Sequence, residues 1–441
     1  PWTHPHFRLS SVTTSTALLT DHYELTMLQA ALRSGTAHRR CVFETFTRQL
    51  PEGRRYAVLA GTGRLLEALA DFRFGEAEVE DLRARRVVDE ATCRWLADYR
   101  FTGDIRGYAE GECFFPGSPV LRVEGSFAEA VVLETLVLSI LNHDSAIASA
   151  ASRMTSAAGE RPCIEMGSRR THEQAAVAAA RAAYLAGFAG TSNLEAGRRY
   201  GVPTTGTSAH AFTLLHDTER EAFAAQLAAL GPSTTLLVDT YDVAEAVRVA
   251  VELAGPDLGA VRLDSGDLIV QAHEVRAQLD SLGATRTRIL VTSDLDEHAI
   301  AALAAAPVDG YGVGTALVTG SGHPTSSLVY KLVAREDADG VLQPVAKLSK
   351  DKGSIGGRKW AVRRIGPDGR ATAEVVGVGT PPGSEGTERP LMVELVRDGE
   401  IVDRSDLHDA RSRHERARDE LPRQARQLQR GEVAIPTIHL V

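Results

Sequence analysis

The sequence predicts an α/β protein in two structural parts, with strand–helix units repeated through the middle of the chain and closing into a parallel barrel. Three observations predict it. The chain has 441 residues, more than one hydrophobic core usually supports. Short apolar runs alternate with helical patterns, which is the signature of right-handed βα units on a parallel sheet. Each apolar run is followed at once by polar residues that a core would not tolerate.

The strand candidates, in order, are Ile164–Met166, Val202–Thr204, Leu236–Asp239, Val261–Asp264, Ile289–Thr292 and Tyr311–Gly314. Helical patterns lie between them at His172–Gly190, which is rich in Ala, and at Val243–Ala254, Leu268–Leu282 and Asp296–Ala306. Near-regular units favour a closed barrel over an open doubly wound sheet. The polar followers are Arg169 and Arg170, Thr207 and His210, Asp239 and Asp242, Asp264-Ser265-Gly266-Asp267, Ser293-Asp294, and Gly312, Gly314 and Thr315. In a βα barrel the active site is built from loops at the carboxyl ends of the strands, so these residues are expected at one mouth.

Composition narrows the class. The chain is 43% hydrophobic and 24% charged, as expected of a globular enzyme and not of a disordered chain. A formal charge of −9 shows no basic excess, so nucleic acid is not expected as a partner. Cys41, Cys93, Cys113 and Cys163 form no Cys-x-x-Cys pair and read as reduced cytosolic thiols. Pro1 to Thr16 holds no signal-length apolar run and reads as a leader. The most apolar stretch, Ala130 to Leu141, is broken by Glu134 and falls short of the ~20 residues of a membrane span. A buried helix is expected there, in a cytoplasmic protein without a membrane partner.

The strand-end residues suit phosphate chemistry, with plainer readings open beside it. Gly312-Val313-Gly314-Thr315 removes side chains where backbone amides can cradle a phosphate, or marks only a tight turn. Asp264 and Asp267 can hold ribose hydroxyls or Mg²⁺, or Asp264 can cap a helix. Arg169, Arg170 and Arg262 offer bidentate donors to an anion, or belong to a solvated salt-bridge lattice. His210, presented straight after a Gly-Thr turn, sits where a phosphate could be handled, or caps the helix that starts near Ala211.

Seven segments, in order, carry a resemblance. They are Leu18-Leu19-Thr20-Asp21-His22-Tyr23-Glu24-Leu25-Thr26-Met27, Phe43-Glu44-Thr45-Phe46, Gly167-Ser168-Arg169-Arg170, Gly190-Thr191-Ser192-Asn193, Gly206-Thr207-Ser208-Ala209-His210, Arg262-Leu263-Asp264-Ser265-Gly266-Asp267 and Gly312-Val313-Gly314-Thr315. Together they resemble nicotinate phosphoribosyltransferase from about Leu18 to Leu348, with a weaker return in the tail. The resemblance implies an irregular (β/α) barrel of the type II phosphoribosyltransferase kind joined to a smaller α/β sandwich. The parts expected are 17–127 in the sandwich, 128–345 as the barrel, and 346–441 packing on the sandwich. The reaction it implies makes nicotinate mononucleotide and pyrophosphate from nicotinate and phosphoribosyl pyrophosphate, with coupled ATP hydrolysis, in NAD salvage.

Residue roles follow from the same resemblance. Tyr23 is expected to stack on the pyridine ring in the neighbouring subunit of a homodimer whose active sites lie at the interface. Arg169, Ser192, Thr207 and Arg262 are expected around nicotinate. Asp264, Ser265, Gly266, Ser293, Asp294, Gly312, Gly314 and Thr315 are expected to hold the phosphoribosyl group. His210 matches the family histidine that ATP phosphorylates, and an imidazole with an ordinary pKa of ~6.5 is mostly neutral and competent at cytosolic pH. Asp239, Asp242 and Asp264 are candidates for Mg²⁺ or for stabilising the charge that develops on ribose, with Asp264 the catalytic one.

Ser192 stands where nicotinamide-using relatives carry an acid, and a neutral donor favours the carboxylate substrate. Met166 departs from the aromatic of those relatives. The cysteine-rich motifs of some archaeal-type members are absent, so zinc is not expected. The competing identities are a nicotinamide or quinolinate phosphoribosyltransferase, and a catalytically silent barrel that senses pyridine nucleotides. In the tail, Gly379 to Gly383 reads as a loop, and Arg411 to Arg430, with Leu421, Ala425 and Leu428 at helical spacing, reads as a solvated amphipathic helix packed on the sandwich. Lys347, Lys350 and Lys352 are placed to line a phosphate entrance.

Overall fold

A computed structural model describes residues 15–347, 355–381, 386–403 and 405–440. Lys350 and Lys352, the leader up to residue 14, and Pro382 and Gly383 lie outside them.

The parallel sheet runs in the order Gly190–Thr191, Cys163–Glu165, Gly310–Val313, Arg288–Val291, Ala260–Leu263 and Thr235–Leu237. Its residues are β-branched or large and apolar on both faces: Val261, Leu263, Ile289, Val291, Tyr311 and Val313 are all buried, as a sheet covered by helices requires. Each such side chain withdrawn from water contributes about 1.5–3 kcal/mol. One strand differs from the sequence reading. Val202–Thr204 supplies only a single parallel bridge, Thr204 to Thr191, and Gly190–Thr191, read as the end of a helix, is the strand. That helix stops earlier, spanning Glu173–Leu185. No pairing joins Thr204 to Thr235–Leu237 among the described residues, so the closed barrel expected from periodicity is an irregular, open one.

The helices of the barrel begin where the sequence supplies caps. Asp242 accepts from Glu245 N and opens Val243–Ala254. Asp267 accepts from Val270 N and opens Leu268–Ser281. Asp296 takes two amides and opens Glu297–Ala302. Such caps contribute about 1 kcal/mol each, and they fix where each strand-end loop ends.

The second part is an antiparallel seven-stranded sheet in the order Leu342–Pro344, Leu328–Glu336, Arg40–Thr47, Leu121–Ser126, Asp104–Tyr108, Met392–Arg397 and Glu400–Ile401. A four-stranded sheet built from Lys359–Ile365, Ala371–Val378, Glu388–Pro390 and Thr437–Leu440 shares its core through Ala361 and Val376. Leu328–Glu336, placed by sequence in the 128–345 barrel stretch, thus belongs to this sheet, paired along Arg40–Thr47. Phe43 stacks on Tyr330 with ring centroids 4.8 Å apart.

The apolar stretch at Ala130–Leu141 is two helices, Phe127–Val131 and Glu134–Ala158. The combined run is long and apolar enough to cross a membrane by composition alone, contrary to the shorter segment read from sequence, but its apolar window is 61% buried inside the protein. Leu136, Val137, Ile140 and Leu141 lie in the core of the antiparallel part. Ile147, Ala148, Ala151 and Met154 lie in the core of the barrel. One helix therefore pins the two parts together. Its alanines, facing the alanine-rich helix Glu173–Leu185, leave room for close approach of the two backbones.

The tail helix is Leu407–Glu420, followed by a short 3₁₀ turn at Arg423–Arg426. It begins earlier than the arginine-rich pattern and lies against both parts: Arg413 Nη1 donates to the Glu110 carbonyl at 2.6 Å and Arg389 Nη2 to the Glu420 carboxylate at 2.7 Å. Leu407, Ala410 and Ala417 join the barrel core, and Arg411 donates to the carbonyls of Phe188 and Gly187 at the end of a barrel helix.

Candidate active site

A cavity of about 500 Å³ opens at the carboxyl ends of the parallel strands. Arg169, Arg170, Ser192, Thr207, Arg262, Asp264, Ser293, Asp294, Gly312, Gly314 and Thr315 all line it. His210, Asp239 and Ser265 adjoin it through contacts to this set. Most of the residues expected at the strand ends therefore converge.

Arg262 points up from the strand Ala260–Leu263. Its Nη1 donates to Thr207 Oγ1 at 2.6 Å, and its Nε is buried with no partner. Burial lowers its pKa, opposed by Asp264 and Asp239, while Arg169 is close enough to add repulsion. Two guanidiniums thus flank one space. Neither makes an ion pair among the described residues, so the salt-bridge lattice is not what holds them. A buried donor left unpaired costs about 1–3 kcal/mol, which an anionic ligand would return.

His210 begins the helix His210–Leu215, whose cap position is Ala209 without a side-chain bond. The capping alternative therefore does not apply. Instead Nδ1 lies 3.1 Å from Thr240 Oγ1, and Nε2 faces Asp239 at 3.9 Å and Asp264 at 4.0 Å. The imidazole is 40% exposed, whereas the Asp239 side chain is 2% exposed. Asp239 Oδ2 accepts from Asp264 N at 3.0 Å and from Ser265 Oγ at 2.5 Å. Its Oδ1, on the side of His210, is buried and unpartnered.

Asp264 is not a helix cap either, since Asp267 takes that role. Its carboxylate accepts from Thr292 Oγ1. Gly266 has φ +80°, a left-handed turn that lets the Asp264–Asp267 loop fold back over Asp239. Ser293 holds φ 129°, unusual for a residue with a side chain and a site of local strain of about 1–3 kcal/mol. Gly312 is required by close approach: a Cβ there would meet Thr292 Cγ2 at 2.5 Å and Met166 Sδ at 2.7 Å. The Gly312-x-Gly314 pattern thus serves core contact at its first glycine and the cavity rim at its second.

Two expected residues stand apart. Asp242 Oδ1 accepts from Glu245 N and caps Val243–Ala254, and Asp242 is not among the residues that line the cavity. Tyr23, on the helix His22–Ser34, is 45% exposed and lies outside the cavity of its own chain. Burial and the nearby Glu134 raise its hydroxyl pKa.

Sequence reading missed the residue that braces one wall. Glu165, fully buried, accepts from Gly167 N and from Thr191 Oγ1, and burial raises its pKa. Asn193 Nδ2 donates to Ser168 Oγ at 2.9 Å. This mesh ties the loop of Arg169 to the loop of Ser192. A carboxylate in the otherwise apolar strand Cys163–Glu165 was the available signal. Thr240 and Thr292, the hydroxyl partners of His210 and Asp264, carried none.

Comparison with known proteins decides the family. Residues 18–142 match the nicotinate phosphoribosyltransferase N-terminal domain and residues 162–358 the nicotinate phosphoribosyltransferase family. A nicotinate phosphoribosyltransferase (pncB1) of Mycobacterium tuberculosis is 61% identical over 429 residues, covering 95% of this chain and 94% of the relative. The chain belongs to the nicotinate phosphoribosyltransferase family. The Bacillus subtilis nicotinate phosphoribosyltransferase is 38% identical over 80% of this chain and 74% of its own length. Human nicotinic acid phosphoribosyltransferase superposes with a TM-score of 0.82 at 26% identity, covering 95% of this chain and 97% of that one. The irregular barrel with its antiparallel partner is therefore the architecture of this family. The cavity lined by Arg262 and Asp264 lies at the carboxyl ends of the parallel strands.

Proposed function

We propose that the chain transfers the phosphoribosyl group of phosphoribosyl pyrophosphate to nicotinate, giving nicotinate mononucleotide and pyrophosphate, with ATP acting through His210. The observation that carries this reading is Arg262: a half-buried guanidinium whose Nε is orphaned and whose only side-chain partner among the described residues is a hydroxyl, beside a second guanidinium. A carboxylate on a flat ring satisfies both. Ser192, neutral and at the cavity wall, adds no charge that would repel it, which favours nicotinate over nicotinamide. Membership in the family supports the same activity.

In this reading Arg262, Thr207 and Arg169 hold the carboxylate and fix the pyridine nitrogen toward ribose. Ser293, Asp294, Gly314 and Thr315 seat the phosphoribosyl group. Asp264, held by Thr292, faces the carbon that gains positive charge as pyrophosphate leaves. Positioning and electrostatics then supply the rate. His210 presents Nε2 toward the pyrophosphate side, with Thr240 orienting the ring, and takes a phosphoryl group from ATP there. Asp239 Oδ1, buried and unpartnered, together with Asp264, fits one cation whose other ligands are phosphate oxygens. Mg²⁺ bound there would neutralise pyrophosphate charge. Tyr23 reaches the pyridine ring of a second subunit in a cytoplasmic homodimer. Its exposure and its distance from its own cavity support that role.

The test is a product assay with nicotinate, nicotinamide and quinolinate, each with phosphoribosyl pyrophosphate, with and without ATP. Nicotinate mononucleotide should form and ATP should raise its yield. Product only from nicotinamide, or none, would sink the reading.

A further inference from the structure

A second cavity, of about 440 Å³, is lined by Arg54, Arg153, Glu297 and Ser321 among others. It shares no residue with the active-site cavity, but it touches the same two segments one step further along the chain. Ala316 follows Thr315, and Asp296 and Glu297 follow Ser293-Asp294.

Three arginines and three carboxylates line it, but they do not pair one to one. Of the three carboxylates on its wall, Asp296 is taken by the amides of His298 and Ala299. Glu52 pairs with Arg430 at 2.6 Å on the exposed rim. Glu297 pairs with Arg153 at 2.9 Å and accepts from Ser321 Oγ at 2.7 Å. Arg54 is left over. It is only 6% exposed, its Nη2 donates to the Gly320 carbonyl at 2.7 Å, and its Nη1 is buried without a partner. Among the described residues it makes no ion pair. Burial brings its pKa down to about 10, against the pull of Glu297. A buried guanidinium with no ion pair and an unpartnered Nη1 is costly, and beside a cavity of ligand size the group that completes it is an anion.

We propose that this cavity is a second anion site, in which Arg54 takes a phosphate group, and that its occupancy acts on the loops Ser293-Asp294 and Gly314-Thr315. The linkage is short and rigid. Glu297 opens the helix that follows Ser293-Asp294 and holds Ser321, which follows the helix Thr315–Val318. An anion drawing on Arg54 competes with Glu297 for it and so bears on both segments. The consequence for turnover rests on the function proposed above, since it takes those loops as the phosphoribosyl seat. The binding does not rest on it.

The experiment titrates inorganic phosphate into the full chain saturated with nicotinate mononucleotide, comparing wild type, Arg54→Gln and Arg54→Lys by calorimetry. Loss of a charge-assisted hydrogen bond should weaken one binding event about ten- to a hundredfold in Arg54→Gln, with Arg54→Lys retaining most of it. Identical isotherms for wild type and Arg54→Gln would overturn the proposal. A crystal of the wild-type protein grown with phosphate supplies a reading that needs no variant: phosphate against Arg54 supports the site, and phosphate confined to the active site refutes it. ADP titrated in parallel separates the sources. Displacement of phosphate makes a nucleotide the ligand, and no displacement makes it free phosphate.

In turnover, phosphate competing at the active site moves only KM for phosphoribosyl pyrophosphate. A saturable change in kcat that disappears in Arg54→Gln marks the second site, and no such change removes the coupling. Phosphate bound at Arg54 in a chain that turns over no nicotinate would leave the site standing and defeat the proposed function instead.

Discussion

Two regions of this molecule bury charge in opposite ways. In the antiparallel part, Lys359 Nζ meets both oxygens of Glu44 at 2.8 Å with each side chain 3% exposed. At the barrel mouth, among the described residues, Arg262 has only a hydroxyl partner, and Asp239 keeps an oxygen with no hydrogen bond. The difference teaches where binding is stored. A paired buried charge is already spent on the fold, whereas an orphaned one is held in reserve for a ligand. The orphan costs stability, so it persists only where the surrounding structure pins it.

The largest expected effect breaks the comparison at the mouth. His210→Ala should abolish ATP hydrolysis and ATP stimulation while leaving ATP-independent transfer and thermal stability in place. An unchanged ATPase in that variant refutes the phosphohistidine role. In the other region the same kind of surgery should unfold, not inactivate. Lys359→Met leaves Glu44 buried and unpaired and should cost about 3–5 kcal/mol in denaturant unfolding, with kcat per folded molecule unchanged. Adding Glu44→Leu should recover much of the loss.

Arg262→Lys keeps the charge but removes the fork. It should raise KM for nicotinate about tenfold or more with little change in stability, and equal KM values would deny Arg262 its place at the carboxylate. A smaller effect concerns Glu165. Glu165→Gln should loosen the brace between the Arg169 and Ser192 loops and raise KM for nicotinate several-fold, with kcat nearly kept. A fall in kcat alone would argue for a role other than positioning.

A further effect is in pH. His414 is fully buried and its pKa falls to about 3 because burial disfavours the charged ring, with Arg418 nearby. The unfolded chain, at ~6.5, binds that proton first. Stability should therefore be full above about pH 6.5 and decline as pH falls toward 3, by a few kcal/mol in all. His414→Gln should flatten that slope; an unchanged slope assigns acid sensitivity elsewhere.

Much of the site was legible because its residues follow apolar runs. Asp264, Ser293, Asp294 and Thr315 could be placed at one mouth from alternation alone, because strand ends of a parallel sheet share a side. Thr240, Thr292 and Glu165 could not, because their importance is a hydrogen bond to a residue distant in sequence. Asp242 is a related case: a carboxylate before a helix reads alike as ligand and as cap, and only the bond to Glu245 N shows the cap. Gly190–Thr191 was hidden because a two-residue strand has no period to read.

By itself the sequence determined the repeated strand–helix order, the ends at which polar residues gather, and the family through ordered motifs, since these depend on local pattern and spacing. Only the tertiary structure decided that the barrel stays open, that Leu328–Glu336 returns to the antiparallel sheet, and which charges are paired. Pairing and closure are set by contacts between residues far apart in the chain, and burial makes each such contact decisive.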